Sequence, residues 1–269
     1  MTSSVTGGCP LALVILILVS MDPTATVGPW EEFFLEGIPP EIPEVLGKGN
    51  ILDQNRYKPL MQTYKTETRF MILYDTMNKI PVFSAYIYTG HIEGRSNDDI
   101  NQATKKDWPK GISFDKGHLY PCFHADSKDD QKSTFKLTNC VPQVPSFNRG
   151  RWCQMEKYVK GLMDKYCSNQ NDRIEAFVIA GAFPSDKYTE SGVNIPKTLW
   201  AAFCCYSKER GRWVASAHWG ANEEVPKDDR EKMKPITLAE LKTDLNFEPF
   251  PNKNCRASSK MRTLRSTIC

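Results

Sequence analysis

Residues 114–160 read FDKGHLYPCFHADSKDDQKSTFKLTNCVPQVPSFNRGRWCQMEKYVK, and the rest of the chain is best understood as support for them. The stretch opens as a strand that turns at Gly117. Residues 134–140 (TFKLTNC) then alternate apolar and polar, as a half-buried strand does, and Pro142 ends that run. A helix is expected from about Asn148, because Trp152, Met155, Val159, Leu162, Met163 and Tyr166 recur at amphipathic helical spacing. At about 100° per residue, Asn148 falls near the middle of that inward face, Glu156 on its border and Lys160 further round.

The polar residues of the stretch are Asp115, Lys116, His118, Asn139, Asn148, Glu156 and Lys160. A lone histidine is usually structural, but His118 follows a cation and a glycine, and glycine lets the backbone approach a bound anion. Imidazole accepts a proton from water near neutral pH. The carbonyl oxygens of Asn139 and Asn148 suit a hard cation such as Mg²⁺, and Glu156 could order water around it. Together these groups imply cation-assisted hydrolysis of a phosphodiester. His91, His124 and His218 lack comparable surroundings and read as structural or exposed.

Outward from this stretch lie strands. Residues 68–75 (TRFMILYD) and 81–88 (PVFSAYIY) read as a hairpin, residues 176–183 (AFVIAGAF) as a buried strand, and 198–206 with 212–218 as a hairpin around Gly211. Cys204 and Cys205, adjacent in a strand, should point to opposite faces and pair with different partners. Thr237-Leu-Ala-Glu240 matches a capping box opening a short helix to about Leu245. Residues 28–49 are an irregular Pro/Gly-rich lead-in, and 89–111 a polar loop in which Lys105 and Lys106 read as solvated and Arg95 as aimed toward the site. The expected fold is α+β: a mixed, mostly antiparallel central sheet with packed helices.

With 269 residues, 40% hydrophobic and 25% charged, the chain can bury one sizeable core. A net charge of +3 permits a nucleic-acid partner without arguing for one. Residues 11–19 (LALVILILV) are too short to span a bilayer and read as part of a secretory signal peptide over about residues 1–22, although no Lys or Arg precedes them. A main domain over 23–250 and a basic, cysteine-containing tail over 251–269 complete the expected organisation, with no second long apolar run. Removing Cys9 leaves eight of nine cysteines, an even set that reads as disulfides in an oxidising compartment. The pairing stays open, and a cysteine nucleophile is not expected.

The run Asp115-Lys-Gly-His118, then LTN ending at Asn139, Pro142-Gln143, Asn148, Trp152 and Glu156 resembles the DNA/RNA non-specific endonuclease family, whose fold is of the ββα-metal type. The spacings match in register: 21 residues from His118 to Asn139, nine to Asn148, eight to Glu156. The flanking text looks like the family's secreted vertebrate, endonuclease domain-containing 1-like branch, and the resemblance covers roughly residues 33–245. It implies an exported, Mg²⁺-dependent phosphodiester hydrolase, with Mn²⁺ as the alternative ion, acting on DNA and RNA backbones with little sequence preference. His118 would be the general base, Asn148 the direct cation ligand, and Glu156 and Asn139 would order water. Lys116 and Lys160 would meet the phosphate, and Arg95 would stabilise transition-state charge. One departure stands out: the family motif is usually Asp-Arg-Gly-His, and Lys116 lacks arginine's planar fork. A nuclease fold with weakened catalysis, kept for binding or structure, is therefore the competing reading.

Overall fold

The computed structural model describes residues 30–90, 114–226, 228–229 and 231–256. A lead-in with two short strands, β1 (Leu46–Gly47) and β2 (Asn50–Ile51), precedes three long ones: β3 (Tyr57–Tyr64), β4 (Glu67–Asp75) and β5 (Ile80–Tyr88). After residues 91–113, β6 (Asp115–His118), α1 (Lys128–Thr134) and β7 (Cys140–Gln143) lead to α2 (Pro145–Phe147) and the long α3 (Cys153–Tyr166). The chain then returns through β8 (Ala176–Phe183), β9 (Thr198–Ser207) and β10 (Arg212–Ala221) to α4 (Leu238–Leu245) and α5 (Lys253–Arg256).

The central sheet has six strands in the order β10-β9-β8-β5-β4-β3, every neighbouring pair antiparallel. Both hairpins form as expected: Asp75 pairs with Ile80, and β9 and β10 meet through Gly211, whose φ of +61° is one glycine adopts freely. β3 is the strand sequence reading passed over. Its Pro59 argues against a central strand, and the structure resolves the conflict by placing β3 at the sheet edge, where a missing donor costs least.

Each face of the sheet carries its own apolar layer. One packs Tyr86, Val178, Phe203 and Val214 against Trp152, just before α3, and Met155, Val159 and Leu162 of α3. The other packs Leu73, Phe83, Ile179 and Trp200 against the lead-in and α4, through Phe33, Leu46, Leu241 and Phe247. Strand alternation divides the adjacent cysteines between these layers. Cys205 bonds Cys167 at the end of α3, and Cys204 bonds Cys255 in α5. The capping box on α4 is complete, Thr237 accepting from Glu240 N–H at 3.0 Å and Glu240 accepting from Thr237 N–H at 2.7 Å.

Two expectations inside the decisive stretch need correction. Gly117 is no turn: it lies within β6 and pairs with Val141. Its lack of a side chain makes room for Gln143, since a Cβ there would fall 2.1 Å from Gln143 Oε1. Residues 134–140 are not a strand either. Ser127 caps α1, accepting from Asp130 N–H at 3.1 Å with Asp129 and Asp130 in the first turn, and the helix runs to Thr134. The strand comes later, in β7, and tolerates Pro142 because, among the described residues, β6 is the only strand it pairs with. The cysteines are not all bonded: Cys140 and Cys153 carry free thiols. Among the described residues, no helix is long and apolar enough to cross a membrane.

Candidate active site

β6 and β7 form a two-stranded ribbon, and the chain leaves β7 directly into the helical run that ends in α3. Across the ribbon Asp115 faces Gln143, Lys116 faces Pro142, Gly117 faces Val141 and His118 faces Cys140. Alternation puts Lys116 and His118 on one face, with Asp115 and Gly117 on the other. The His118 ring packs edge-on against Phe135, centroids 5.2 Å apart. The inner face is tight: Val141 and Gln143 are fully buried.

Between α2 and α3 the backbone makes one wide π turn over Asn148–Trp152, with Gly150 leaving helical values at φ −100°, ψ −109°. An extra residue in a turn rotates everything before it relative to the helix that follows. The apolar stripe of α3 is as expected, but the position of Asn148 is set by this turn and not by a uniform 100° wheel. Asn148 donates its side-chain N–H to Asp115 Oδ2 at 3.0 Å. Arg149 clamps the same carboxylate, its Nε donating to Oδ2 at 2.7 Å and a terminal N–H to Oδ1. Asp115 therefore ties the ribbon to the helix start, and it is the site residue that sequence reading undervalued. Its signal was present, as the first letter of the DKGH run.

That bond also orients the amide. With Nδ2 committed to Asp115, Asn148 Oδ1 is left as a hard oxygen that accepts no hydrogen bond among the described residues. No group of three or more His, Cys, Asp or Glu side chains gathers to hold a metal among the described residues. A single amide oxygen fits a Mg²⁺-type ion, which keeps most of its waters and takes few protein ligands.

The other expected residues divide. Asn139 is fully buried and its amide is saturated. Oδ1 accepts from Ser84 Oγ at 2.8 Å and Tyr120 N–H at 3.0 Å, while Nδ2 donates to Tyr120 O at 3.0 Å and Thr134 O at 2.9 Å. It shapes the segment after His118, where Leu119 N–H donates to Asn139 O at 2.9 Å, and it has no capacity left to order water by its side chain. Lys160 is tied to Asp164 at 2.6 Å and lies over the Tyr88 and Phe123 rings, which ion-pairs the cation expected to meet phosphate. Arg95, like Lys105 and Lys106, lies outside the described residues.

Glu156 lines a cavity between α3 and the sheet, with Leu119 and Pro121 of the segment after His118 on the same wall. Part of the residue reaches solvent, yet protein atoms surround it densely. That desolvation pushes its carboxyl up to about 8. The Trp152 indole N–H offsets a small part of the rise without reaching hydrogen-bond geometry. His124 is structural, as expected. Nε2 meets Glu156 O at 2.9 Å, so it must be the donor, and Nδ1 accepts from Tyr86 O–H at 2.7 Å. Burial depresses its imidazole to about 4.

A two-stranded ribbon that leads straight into a helix, beside a large antiparallel sheet, is the architecture of ββα-metal nucleases. A crystal structure of an EndoG/EndoGI complex has the same fold, at a TM-score of 0.50 and 16% identity, over 68% of this chain and 83% of that one. The profile of the DNA/RNA non-specific endonucleases matches residues 51–253, and the chain belongs to that family. It is 24% identical over 264 residues to the human endonuclease domain-containing 1 protein, covering 86% of this chain and 48% of that protein. Against the mouse protein the figures are 30% over 216 residues, 67% and 39%. A shorter match, 37% over 76 residues, joins it to human mitochondrial endonuclease G, over 27% of this chain and 25% of that one. The chain thus spans about half, or less, of the length of these relatives.

Proposed function

We propose that this chain is a cation-dependent endonuclease that hydrolyses phosphodiester bonds in DNA and RNA without reading sequence. The observation that carries the reading is the Asp115–Asn148 bond, which fixes an otherwise ordinary asparagine with its oxygen outward at the start of a helix beside the ribbon that bears His118. A Mg²⁺ ion, or Mn²⁺ in its place, would be held at Asn148 Oδ1 and would offset charge on the phosphoryl oxygens. His118 accepts a proton from water as the water oxygen attacks phosphorus, and the ester bond to the sugar oxygen breaks, that oxygen leaving as the hydroxyl after taking a proton from solvent. Lys116 shares the His118 face of the ribbon and meets the phosphate there as a point charge. Glu156 orders water beside the ion, and Asn139 acts by holding the segment that follows His118. Arg95 is proposed to meet transition-state charge, and Lys160 to contribute its field from the Asp164 pair.

Export is part of the reading, with residues 1–22 as a signal peptide, 23–250 as the nuclease domain and 251–269 as a basic tail. Two disulfides are in keeping with an oxidising compartment. Lys116 in place of arginine favours one competing reading, a nuclease fold with weakened turnover that binds nucleic acid. The test is cleavage of plasmid and RNA by the purified chain with Mg²⁺ or EDTA, beside His118→Ala and Lys116→Arg. Loss of roughly 10²–10⁴-fold in His118→Ala supports the base assignment. Equal cleavage by mutant and wild type removes it, and activity gained only in Lys116→Arg favours the weakened form.

A further inference from the structure

The cavity beside Glu156 is about 10 Å³, room for a single water. Trp152, Ser216 and His218 are among the residues that line it, and none of the three is more than 2% exposed. Each carries a buried polar atom, Trp152 Nε1, Ser216 Oγ and His218 Nε2, that has no hydrogen-bond partner among the described residues. Ser216 and His218 reach it together because alternate residues of β10 share a face, here the face that packs on α3. Apart from Glu156 and the Tyr86–His124 pair, which bond each other, the rest of the lining is apolar, with Met155, Val159 and Phe203 among it. Buried polar groups left unpaired are rare in native proteins, and several converging on one water-sized space point to a built site for water.

We propose that this cavity holds one ordered water, and that Ser216 and His218 are positioning residues for Glu156. Around the water itself the bonding closes. It accepts from the Trp152 indole N–H and the Ser216 hydroxyl, and donates to a Glu156 carboxyl oxygen and to Nε2 of neutral His218. Glu156 is thereby fixed from below by the edge strand β10, far in sequence from the ribbon. The water site stands on the geometry alone; the positioning role rests on the nuclease reading above.

Two measurements on the full chain separate these claims. A high-resolution crystal structure should show a water about 2.5–3.2 Å from all four atoms. An empty cavity, or an ion at about 2.0–2.6 Å, overturns the site. Ser216→Val, which replaces the hydroxyl with a methyl, should lower kcat roughly tenfold with little change in KM. It should have no further effect in a Glu156→Gln background. An unchanged kcat, or an equal fall in both backgrounds, overturns the positioning role. If the wild-type chain cleaves nothing, the nuclease reading falls and the positioning role falls with it. Wild-type density still decides the water, whether or not the variant folds.

Discussion

Asp115 and Asn148, 33 residues apart, are joined by a 3.0 Å hydrogen bond that commits the nitrogen end of the asparagine amide. Removing the carboxylate in Asp115→Ala lets the amide rotate. About 10–100-fold more Mg²⁺ should then be needed to reach half-maximal cleavage. Stability should move little, because the Arg149 side chain of the same cluster is 72% exposed and such pairs contribute about 0–1 kcal/mol. A cation titration beside a thermal melt reads both; an unchanged titration contradicts the role given to Asp115.

Gly117 is required by packing against Gln143. A methyl there would meet Gln143 Oε1 at 2.1 Å and Gln143 Cβ at 2.8 Å. Gly117→Ala should cost about 1–3 kcal/mol in denaturant unfolding. Adding Gln143→Ala, which removes the nearer contact, should recover part of that. No recovery would mean that the glycine is needed for something other than space.

Glu156 gives the cation-free protein a pH signature. Its carboxyl is pushed up to about 8 from a reference of 4.5, so the folded chain holds a proton that the unfolded chain releases. The stability this contributes is complete below the unfolded value and is lost as pH rises through the folded one. Glu156→Gln carries no such proton, and its Tm should fall less than that of wild type between about pH 5 and 9. Parallel melting profiles would place the carboxyl in water instead.

Cys204 and Cys205 anchor different layers, so their loss should be distinguishable. Each disulfide should contribute about 2–4 kcal/mol. Cys205→Ala frees the end of α3 and should reduce cleavage as well as Tm, because that helix carries Glu156. Cys204→Ala frees α5 on the far layer and should reduce Tm with less effect on cleavage. Hydrogen exchange in α3 separates the two variants, and equal exchange would contradict the division.

The sequence made the sheet legible where a single period dominated. Residues 68–88 and 198–218 alternate or run apolar without interruption, and their strands lie within a few residues of where that pattern puts them. Reading failed where two signals competed. TFKLTNC alternates like a strand, yet the Ser127 cap and the two aspartates behind it start a helix first. Pro142 reads as the end of a strand, while its place in a two-stranded ribbon accepts it. At the site, the residues in register with the family motif were visible as letters. The pairings that give them roles were not: Asp115 to Asn148, Lys160 to Asp164, and Ser216 with His218 below Glu156 are all tertiary facts. Two polar residues at alternate positions of VASAH, Ser216 and His218, were the only hint of the last.

The central claim is that Asn148 and His118 serve one cation and one phosphate, and anomalous diffraction from crystals soaked in Mn²⁺ tests it most directly. The account predicts a single strong peak about 2.1 Å from Asn148 Oδ1, near enough to His118 for one phosphate to reach both, and its loss in Asn148→Ala. A peak held elsewhere, or one that persists in Asn148→Ala, would contradict it.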